Sequence, residues 1–256
     1  MQEKETGLMA IVQLDFEGNN KVEAAIQLIK SCEPPDGYYL AFSGGKDSMV
    51  IYDLTVKSGV KFDAHYNVSP IDPQQIHKFI KDYYPDVQWD YFARGFWNTV
   101  VKKGLPMRQS RWCCELIKEA GGVGRTVMLG LRAAESCKRG KRRILEPDRA
   151  ETKMIFSPIM GWSSEDVWEY IKTNNLPYCG LYDKGFGRLG CVLCPFSRKI
   201  ELEERCFPKI VKCWKKACDR IIAEQRARGG LTKTGKVPKN KFETGEELYQ
   251  WWVKRK

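Results

Sequence analysis

Two hydrophobic patterns alternate along most of the chain. Residues 20–33 carry apolar positions at three- and four-residue spacing, which predicts an amphipathic helix. Residues 38–42 are a continuous apolar run, typical of a strand buried on both faces of a parallel sheet. The same alternation predicts helices at 48–58, 73–83 and 165–174, and strands at 62–68, 87–92, 126–131 and 155–159. This rhythm predicts an α/β fold with a mostly parallel sheet and flanking helices.

The strand signals stop after Pro195, where the chain becomes basic. Residues 199–228 read as a basic helix, and residues 229–241 read as a flexible basic loop. We therefore expect three segments along the 256 residues. They are a helical lead-in at 1–36, an α/β domain at 37–198 and a basic, mainly helical C-terminal extension at 199–256.

The net charge of +11 is concentrated in two regions. Residues 206–256 carry fourteen Lys and Arg against five Asp and Glu, and residues 138–153 carry seven against three. Such a surface suits a phosphate-rich partner, either a nucleotide or a nucleic acid, and the alternative is a solvated lysine-rich face. The adjacent indoles of Trp251 and Trp252 are expected to stack on bases.

No stretch approaches the roughly 20 apolar residues that a membrane helix needs. The first sixteen residues are partly acidic and show no small-residue cleavage pattern, which argues against a secretory signal. We expect a soluble cytoplasmic protein without a membrane partner.

The turn after the first strand predicts a phosphate site. It reads Ser43, Gly44, Gly45, Lys46, Asp47 and Ser48, and a helix begins within it. Glycines permit positive φ and close approach of a phosphate, and the amides and dipole of the following helix favour an anion. The Walker A and dinucleotide-binding patterns are both missing, and the plain alternative is a simple connecting turn.

Ten cysteines are many for a chain expected in a reducing compartment, which favours metal or redox use. Cys113 and Cys114 are adjacent, and Cys191 and Cys194 form a Cys-x-x-Cys pair 77 positions further on. Four thiolates suit either a [4Fe–4S] cluster or one Zn²⁺. The other six are expected to be small buried apolar side chains. They are Cys32, Cys137, Cys179, Cys206, Cys213 and Cys218.

The turn at 43–48 resembles the PP-loop of the ATP pyrophosphatase class. Further motifs at 156–171, 176–178, 181–186 and 189–194 are similar to the phosphoadenosine phosphosulfate (PAPS) reductase family. The resemblance spans about residues 37–196 and implies an adenine nucleotide alpha hydrolase-like fold. It also implies an adenine nucleotide ligand, either ATP with Mg²⁺ or adenylylsulfate (APS) or PAPS.

The resemblance also implies roles for individual residues. In cluster-bearing APS reductases, a Cys-Cys pair and a distant Cys-x-x-Cys hold a [4Fe–4S] cluster, which corresponds to Cys113, Cys114, Cys191 and Cys194. Lys118 matches a lysine near cluster and substrate, and Lys46 and Asp47 are the other expected catalytic residues. Arg132, Glu135 and Ser136 are similar to a nucleotide-phosphate contact region, although they could instead cap a helix.

One family feature is missing from this sequence. Sulfonucleotide reductases carry a catalytic cysteine near the C-terminus, whereas the last cysteine here is Cys218. We therefore expect an adenylylating ATP pyrophosphatase in sulfur transfer to DNA or tRNA, with a sulfur donor protein, resembling DNA-phosphorothioation or tRNA-thiolation enzymes. A divergent APS or PAPS reductase and a non-catalytic nucleotide-binding iron–sulfur subunit are the alternatives.

Overall fold

The computed structural model describes residues 20–92, 94–231, 237 and 240–254. The expectations for the first sixteen residues, and for most of the loop at 229–241, lie outside this range. The described residues form two compact units. The first unit consists of the described residues within 20–66, 79–88 and 122–180, and the second of those within 67–78, 89–121 and 181–254.

Six strands and ten α-helices are found among the described residues. In chain order they are α1 (Lys21–Ser31), β1 (Tyr38–Ala41), α2 (Lys46–Ser58), β2 (Phe62–Asn67), α3 (Gln74–Tyr83), β3 (Gln88–Asp90), α4 (Phe96–Lys103), α5 (Trp112–Leu116), β4 (Thr126–Met128), α6 (Cys137–Gly140), β5 (Leu145–Pro147), β6 (Met154–Phe156), α7 (Ser164–Thr173), α8 (Ile200–Cys206), α9 (Pro208–Ala227) and α10 (Gly245–Lys254). A single 3-10 turn, Ala133–Glu135, precedes α6. None of these helices is long and apolar enough to cross a bilayer.

The strands form one sheet in the order β3-β2-β1-β4-β6-β5. Strands β2, β1, β4 and β6 run parallel, and β5 pairs antiparallel with β6 at the edge. Tyr38 and Leu40 are fully buried and Tyr39 nearly so, which means that β1 is covered on both faces, as its continuous apolar run predicts. The predicted α/β fold with a mostly parallel sheet is therefore confirmed.

Helices of the first unit pack against one another beside the sheet. Helix α2 contacts both α1 and α7, and the Tyr38 hydroxyl donates a hydrogen bond to the Ile29 carbonyl across 2.9 Å. The Tyr38 ring also stacks on Phe156 of β6, with 5.3 Å between centroids. These contacts hold α1 against β1 and link β1 to β6.

Some predicted strands are shorter in the structure. The strand expected at 155–159 ends at Phe156, close to Pro158, which has no amide proton to donate to a neighbouring strand. The short edge strand β5 and the helices α4, α5 and α6 lack a sequence prediction, whereas α10 lies in the extension expected to be mainly helical. The basic helix expected over 199–228 is two helices, since Phe207 leaves helical geometry and Pro208 starts α9.

The expected base-stacking role of the Trp251 and Trp252 pair is wrong for Trp252. Its side chain is fully buried, its Nε1 donates to the Pro106 carbonyl at 2.8 Å, and its ring lies 4.7 Å from that of Trp214. Together with Leu248 it forms the inner face of α10 at four-residue spacing. Trp252 therefore belongs to the core of the second unit.

Candidate nucleotide site and cysteine cavity

The turn between β1 and α2 has the backbone of a phosphate cradle. Gly44 has φ +68°, which favours glycine, whereas Gly45, the N-cap residue of α2, is extended with φ −87° and supplies no side-chain cap. Positive φ is therefore needed at only one of the two glycines. Because the N-cap residue is a glycine, no N-cap side chain competes with a ligand for the first amides of α2. This suits the binding of an anion at the N-terminus of the helix.

Two serines brace this turn from within. The Ser48 hydroxyl donates to the Gly45 carbonyl at 2.8 Å, and it accepts from the Ser43 amide at 3.2 Å. The Ser43 hydroxyl lies 3.2 Å from the same oxygen. These bonds hold the two ends of the turn together, which orients its backbone before any ligand arrives.

A shared carboxylate brings two cations to the turn. Lys46 Nζ lies 2.9 Å from Asp47 Oδ2, and Arg132 Nε lies 2.6 Å from Asp47 Oδ1. The lysine and arginine side chains are only 7% and 3% exposed, and their charges are therefore poorly screened. Gly130 allows the segment that leads to Arg132 to pass close to α2, because a Cβ atom at position 130 would lie 2.9 Å from the Asp47 backbone.

Glu135 and Ser136 have local partners. Glu135 accepts from the Arg132 amide at 3.3 Å and pairs with Arg139, and the Ser136 hydroxyl accepts from the Arg139 amide at 3.3 Å. Both side chains thus stabilise the turn that follows Arg132. Of the three residues that resemble a phosphate-contact region, Arg132 is the one whose side chain contacts the loop at 43–48.

The four cysteines of the predicted metal set line one small cavity in the second unit. Cys113 and Cys114 lie in the first turn of α5, and Cys191 and Cys194 lie in a tight turn. The cavity measures about 20 Å³ and is also walled by apolar side chains including Ile71. Among the described residues, no three His, Cys, Asp or Glu side chains are arranged to hold a metal ion. The four thiols that line this cavity are donors of the type that an iron–sulfur cluster or zinc takes.

Charges around the cavity shift the thiols in opposite directions. A hydrogen bond from Cys113 and the nearby Arg111 guanidinium lower the pKa of Cys114 to about 6, against the effect of burial. Burial and the Asp72 carboxylate raise the pKa of the Cys191 thiol, and Lys118 opposes this. The cavity therefore favours a thiolate at Cys114.

Lys118 lies beside this cavity with a buried acidic partner. Its Nζ is 3.0 Å from Asp72 Oδ2, and the Asp72 side chain is only 1% exposed. Burial disfavours the ammonium, but Asp72 and Cys191 outweigh it and raise the pKa of Lys118. Ser69 Oγ lies 3.8 Å from Cys191 Sγ on the same wall. Lys118 thus places an ammonium group, held by a buried carboxylate, at the wall of the cavity.

Glu203 on α8 is a further residue of this region, and sequence reasoning missed it. One carboxylate oxygen accepts from the Leu193 amide at 2.7 Å, and the other accepts from the Ser197 hydroxyl at 2.6 Å. Leu193 has φ +56°, an uncommon conformation for a side chain of its size. Glu203 is 9% exposed and thus holds the Cys191–Cys194 turn from inside. The only signal in the sequence is a glutamate on a predicted helix.

Replacing Glu203 by Ala should destabilise this turn. The buried Leu193 amide loses its acceptor, which costs about 1–3 kcal/mol, and the melting temperature should fall by roughly 2–10 °C. Thermal unfolding of this variant beside Glu201→Ala, an exposed position on the same helix, provides the measurement. Equal melting temperatures for the two variants would contradict the bracing role.

The remaining six cysteines differ in burial. Cys179 and Cys218 are buried, as expected for small apolar side chains, and Cys32 and Cys206 are partly exposed. Cys137 and Cys213 are exposed, which contradicts the expectation of burial. Cys137 begins the four-residue helix α6, and Cys213 lies on the exposed side of α9. A thiol is tolerated at such positions without packing against other side chains.

The turn at 43–48 lies between the carboxyl end of the parallel strand β1 and the start of α2. This is where nucleotide-binding α/β proteins place a phosphate loop. Residues 37–197 match the phosphoadenosine phosphosulfate reductase domain, and the chain therefore belongs to that family. The family resemblance expected from the sequence is confirmed by this match.

Similar proteins have several functions. An uncharacterized protein of Methanocaldococcus jannaschii is 31% identical over 216 residues, which cover 77% of this chain and 44% of that protein. The adenosine 5'-phosphosulfate reductase of Oceanobacillus iheyensis is 28% identical over 171 residues, which cover 60% of this chain and 69% of that protein. A probable FAD synthase of Schizosaccharomyces pombe is 28% identical over 169 residues, which cover 62% of this chain and 60% of that protein. The chain spans less than half of the first of these relatives.

Proposed function

We propose that the chain binds ATP at residues 43–48 and acts as an adenylylating ATP pyrophosphatase in sulfur transfer to a nucleic acid. The observation that carries the proposal is the pair of nearly buried cations, Lys46 and Arg132, held by Asp47 at the start of α2. Two fixed positive charges beside helix amides suit a polyphosphate. The similarity to a probable FAD synthase supports adenylyl transfer as the type of chemistry.

The proposed reaction has two displacements. An oxygen of the acceptor attacks the α-phosphorus of ATP, the bond to the bridging oxygen of the β-phosphate breaks, and pyrophosphate leaves. A sulfide-level nucleophile from a donor protein then displaces AMP from the activated acceptor. Both leaving groups depart as anions, which is why cations fixed beside them lower the barrier.

The residues of the site have separate proposed roles. On nucleotide binding, Lys46 and Arg132 exchange the Asp47 carboxylate for phosphate oxygens, and the carboxylate becomes available to Mg²⁺. Carboxylate with phosphate oxygens is the ligand set that Mg²⁺ prefers. Gly44 and the first amides of α2 hold the phosphate chain, and Ser43 and Ser48 keep the turn in shape.

In the second unit, Cys113, Cys114, Cys191 and Cys194 are proposed to hold a [4Fe–4S] cluster, with Zn²⁺ as the alternative metal. All four line the same small cavity, which supports this role. When bound, a cluster supplies iron sites and one-electron transfer. Lys118 keeps a positive charge beside the thiolates, and Asp72 fixes the position of that charge.

An unpaired lysine face supports a polyanionic acceptor. Lys209, Lys212 and Lys216 follow one another on α9 at three- and four-residue spacing, and all three are exposed. Within the described part of the chain, none of the three forms an ion pair, unlike neighbouring Lys215, which pairs with Glu246. Unpaired lysines in a row suit the phosphates of DNA or tRNA.

A sulfonucleotide reductase is the second candidate, because relatives include proteins named adenosine 5'-phosphosulfate reductase. Product analysis separates the candidates. Anaerobically purified protein with ATP, a nucleic acid and a sulfide source should release pyrophosphate and AMP. Sulfite release from APS or PAPS would instead establish the reductase, and nucleotide binding without turnover would indicate a non-catalytic subunit.

A further inference from the structure

A large aromatic side chain is exposed directly beside the cysteine cavity. Phe196 is 47% exposed and follows Cys194 and Pro195, which both line the cavity. The neighbouring apolar residues Val192 and Leu193 are buried, which shows that this turn has an inner and an outer side. An exposed phenyl ring on the outer side gains nothing for the core, and it is therefore available to a ligand.

Two guanidinium groups lie over the same ring. The central carbon of Arg111 is 5.5 Å from the Phe196 ring centroid, and that of Arg108 is 5.9 Å from it. Arg108 Nε donates to the Pro195 carbonyl at 2.9 Å, and an Arg111 terminal nitrogen donates to Glu119 at 2.9 Å. A guanidinium group carries five N–H donors, so each arginine has further donors besides the one used in its hydrogen bond.

Ring and guanidinium groups are anchored to the walls of the cavity. Pro195, which holds Arg108, is itself a wall residue, and Arg111 begins the turn that carries Cys113 and Cys114. A ligand bound to these three side chains would thus lie at a fixed position relative to the thiols. The exposed Arg198 adds positive charge two residues after the ring.

We propose that Phe196, Arg108 and Arg111 form the docking surface for an unpaired nucleotide of the acceptor strand, beside the cysteine cavity. This inference rests on the proposed nucleic-acid acceptor. An arriving base replaces a guanidinium over the ring, and the released guanidinium takes the adjoining phosphate. Stacking needs a base face that duplex pairing hides, and so the surface selects single-stranded or flipped-out nucleotides.

The test measures fluorescence anisotropy of labelled single-stranded and duplex oligonucleotides with the full chain at two salt concentrations. Phe196→Leu should weaken single-strand binding about fivefold or more, because one stacked base contributes roughly 1–3 kcal/mol. Phe196→Trp should restore it. Arg108→Gln should reduce the slope of log affinity against log salt by about 0.7.

Matched controls use exposed positions in the same unit. Tyr91→Leu removes an aromatic ring that is 61% exposed, and Arg205→Gln removes an exposed cation on α8. Both should leave affinity within twofold of wild type. Unchanged melting temperatures show that the variants fold.

The outcomes separate this surface from the proposed function. Strong binding that Phe196→Leu and Arg108→Gln leave unchanged would overturn the docking surface and keep the nucleic-acid acceptor. Duplex bound as tightly as single strand would overturn the unpaired-base part of the proposal. Binding to neither oligonucleotide at low salt would overturn the surface together with the nucleic-acid acceptor, while ATP binding would still stand.

Discussion

Replacing Arg132 by Gln should weaken ATP binding by about 10- to 100-fold, because a charge-assisted hydrogen bond contributes roughly 1.5–3 kcal/mol. The Arg132 side chain is 3% exposed and reaches Asp47, the Trp162 carbonyl and the Ser164 hydroxyl. Glutamine keeps polar atoms in this pocket but removes the positive charge. Isothermal titration of ATP into both proteins measures the difference.

The matched control for that experiment is Arg142→Gln. Arg142 pairs with Glu146 in the same unit and is 34% exposed, which makes it a charge change of equal size at the surface. We expect this variant to bind ATP like wild type. If Arg132→Gln also bound ATP with wild-type affinity while remaining folded, the arginine would not belong to the nucleotide site.

Replacing Cys194 by Ser should abolish metal binding in protein made without oxygen. The unchanged protein should contain about four irons per chain and absorb broadly near 400 nm, because each iron of a [4Fe–4S] cluster takes one thiolate. A serine hydroxyl is a poor replacement for that thiolate. Iron and zinc analysis of both proteins gives the result.

Two other cysteines provide the controls for the metal experiment. Cys213 is exposed and Cys218 is buried, both lie on α9, and neither is among the described residues that line the cavity. Their serine variants should retain the metal. Stoichiometric zinc without iron would favour the zinc alternative, and metal loss in Cys213→Ser alone would contradict the assignment of the ligands.

The sequence predicted β1 and the turn that follows it well, because their signals are local. The run at residues 38–42 is apolar at every position, and in the structure both faces of β1 are buried. The Ser-Gly-Gly turn similarly places its positive φ at Gly44 by local chemistry. Local patterns of this kind depend little on distant residues, which is why they could be read in advance.

The sequence predicted less where distant residues decide. The contact between Asp47 and Arg132 joins positions 85 residues apart, and only the folded sheet brings them together. Glu203 is likewise an ordinary helix residue until its carboxylate meets the Leu193 amide. Trp252 was expected to stack on bases because no local pattern indicates that α10 packs against α9.

The central claim is that the loop at 43–48 and Arg132 form an adenine nucleotide site. Its most direct test is calorimetric binding of ATP, APS and PAPS to anaerobic protein, wild type beside Gly44→Val. Valine disfavours the positive φ of Gly44, and the variant should lose at least tenfold in affinity for whichever nucleotide binds. We predict that the wild type binds one nucleotide per chain and that the folded Gly44→Val variant loses this binding. Wild-type affinity in folded Gly44→Val, or no binding of any of the three nucleotides, would contradict the claim.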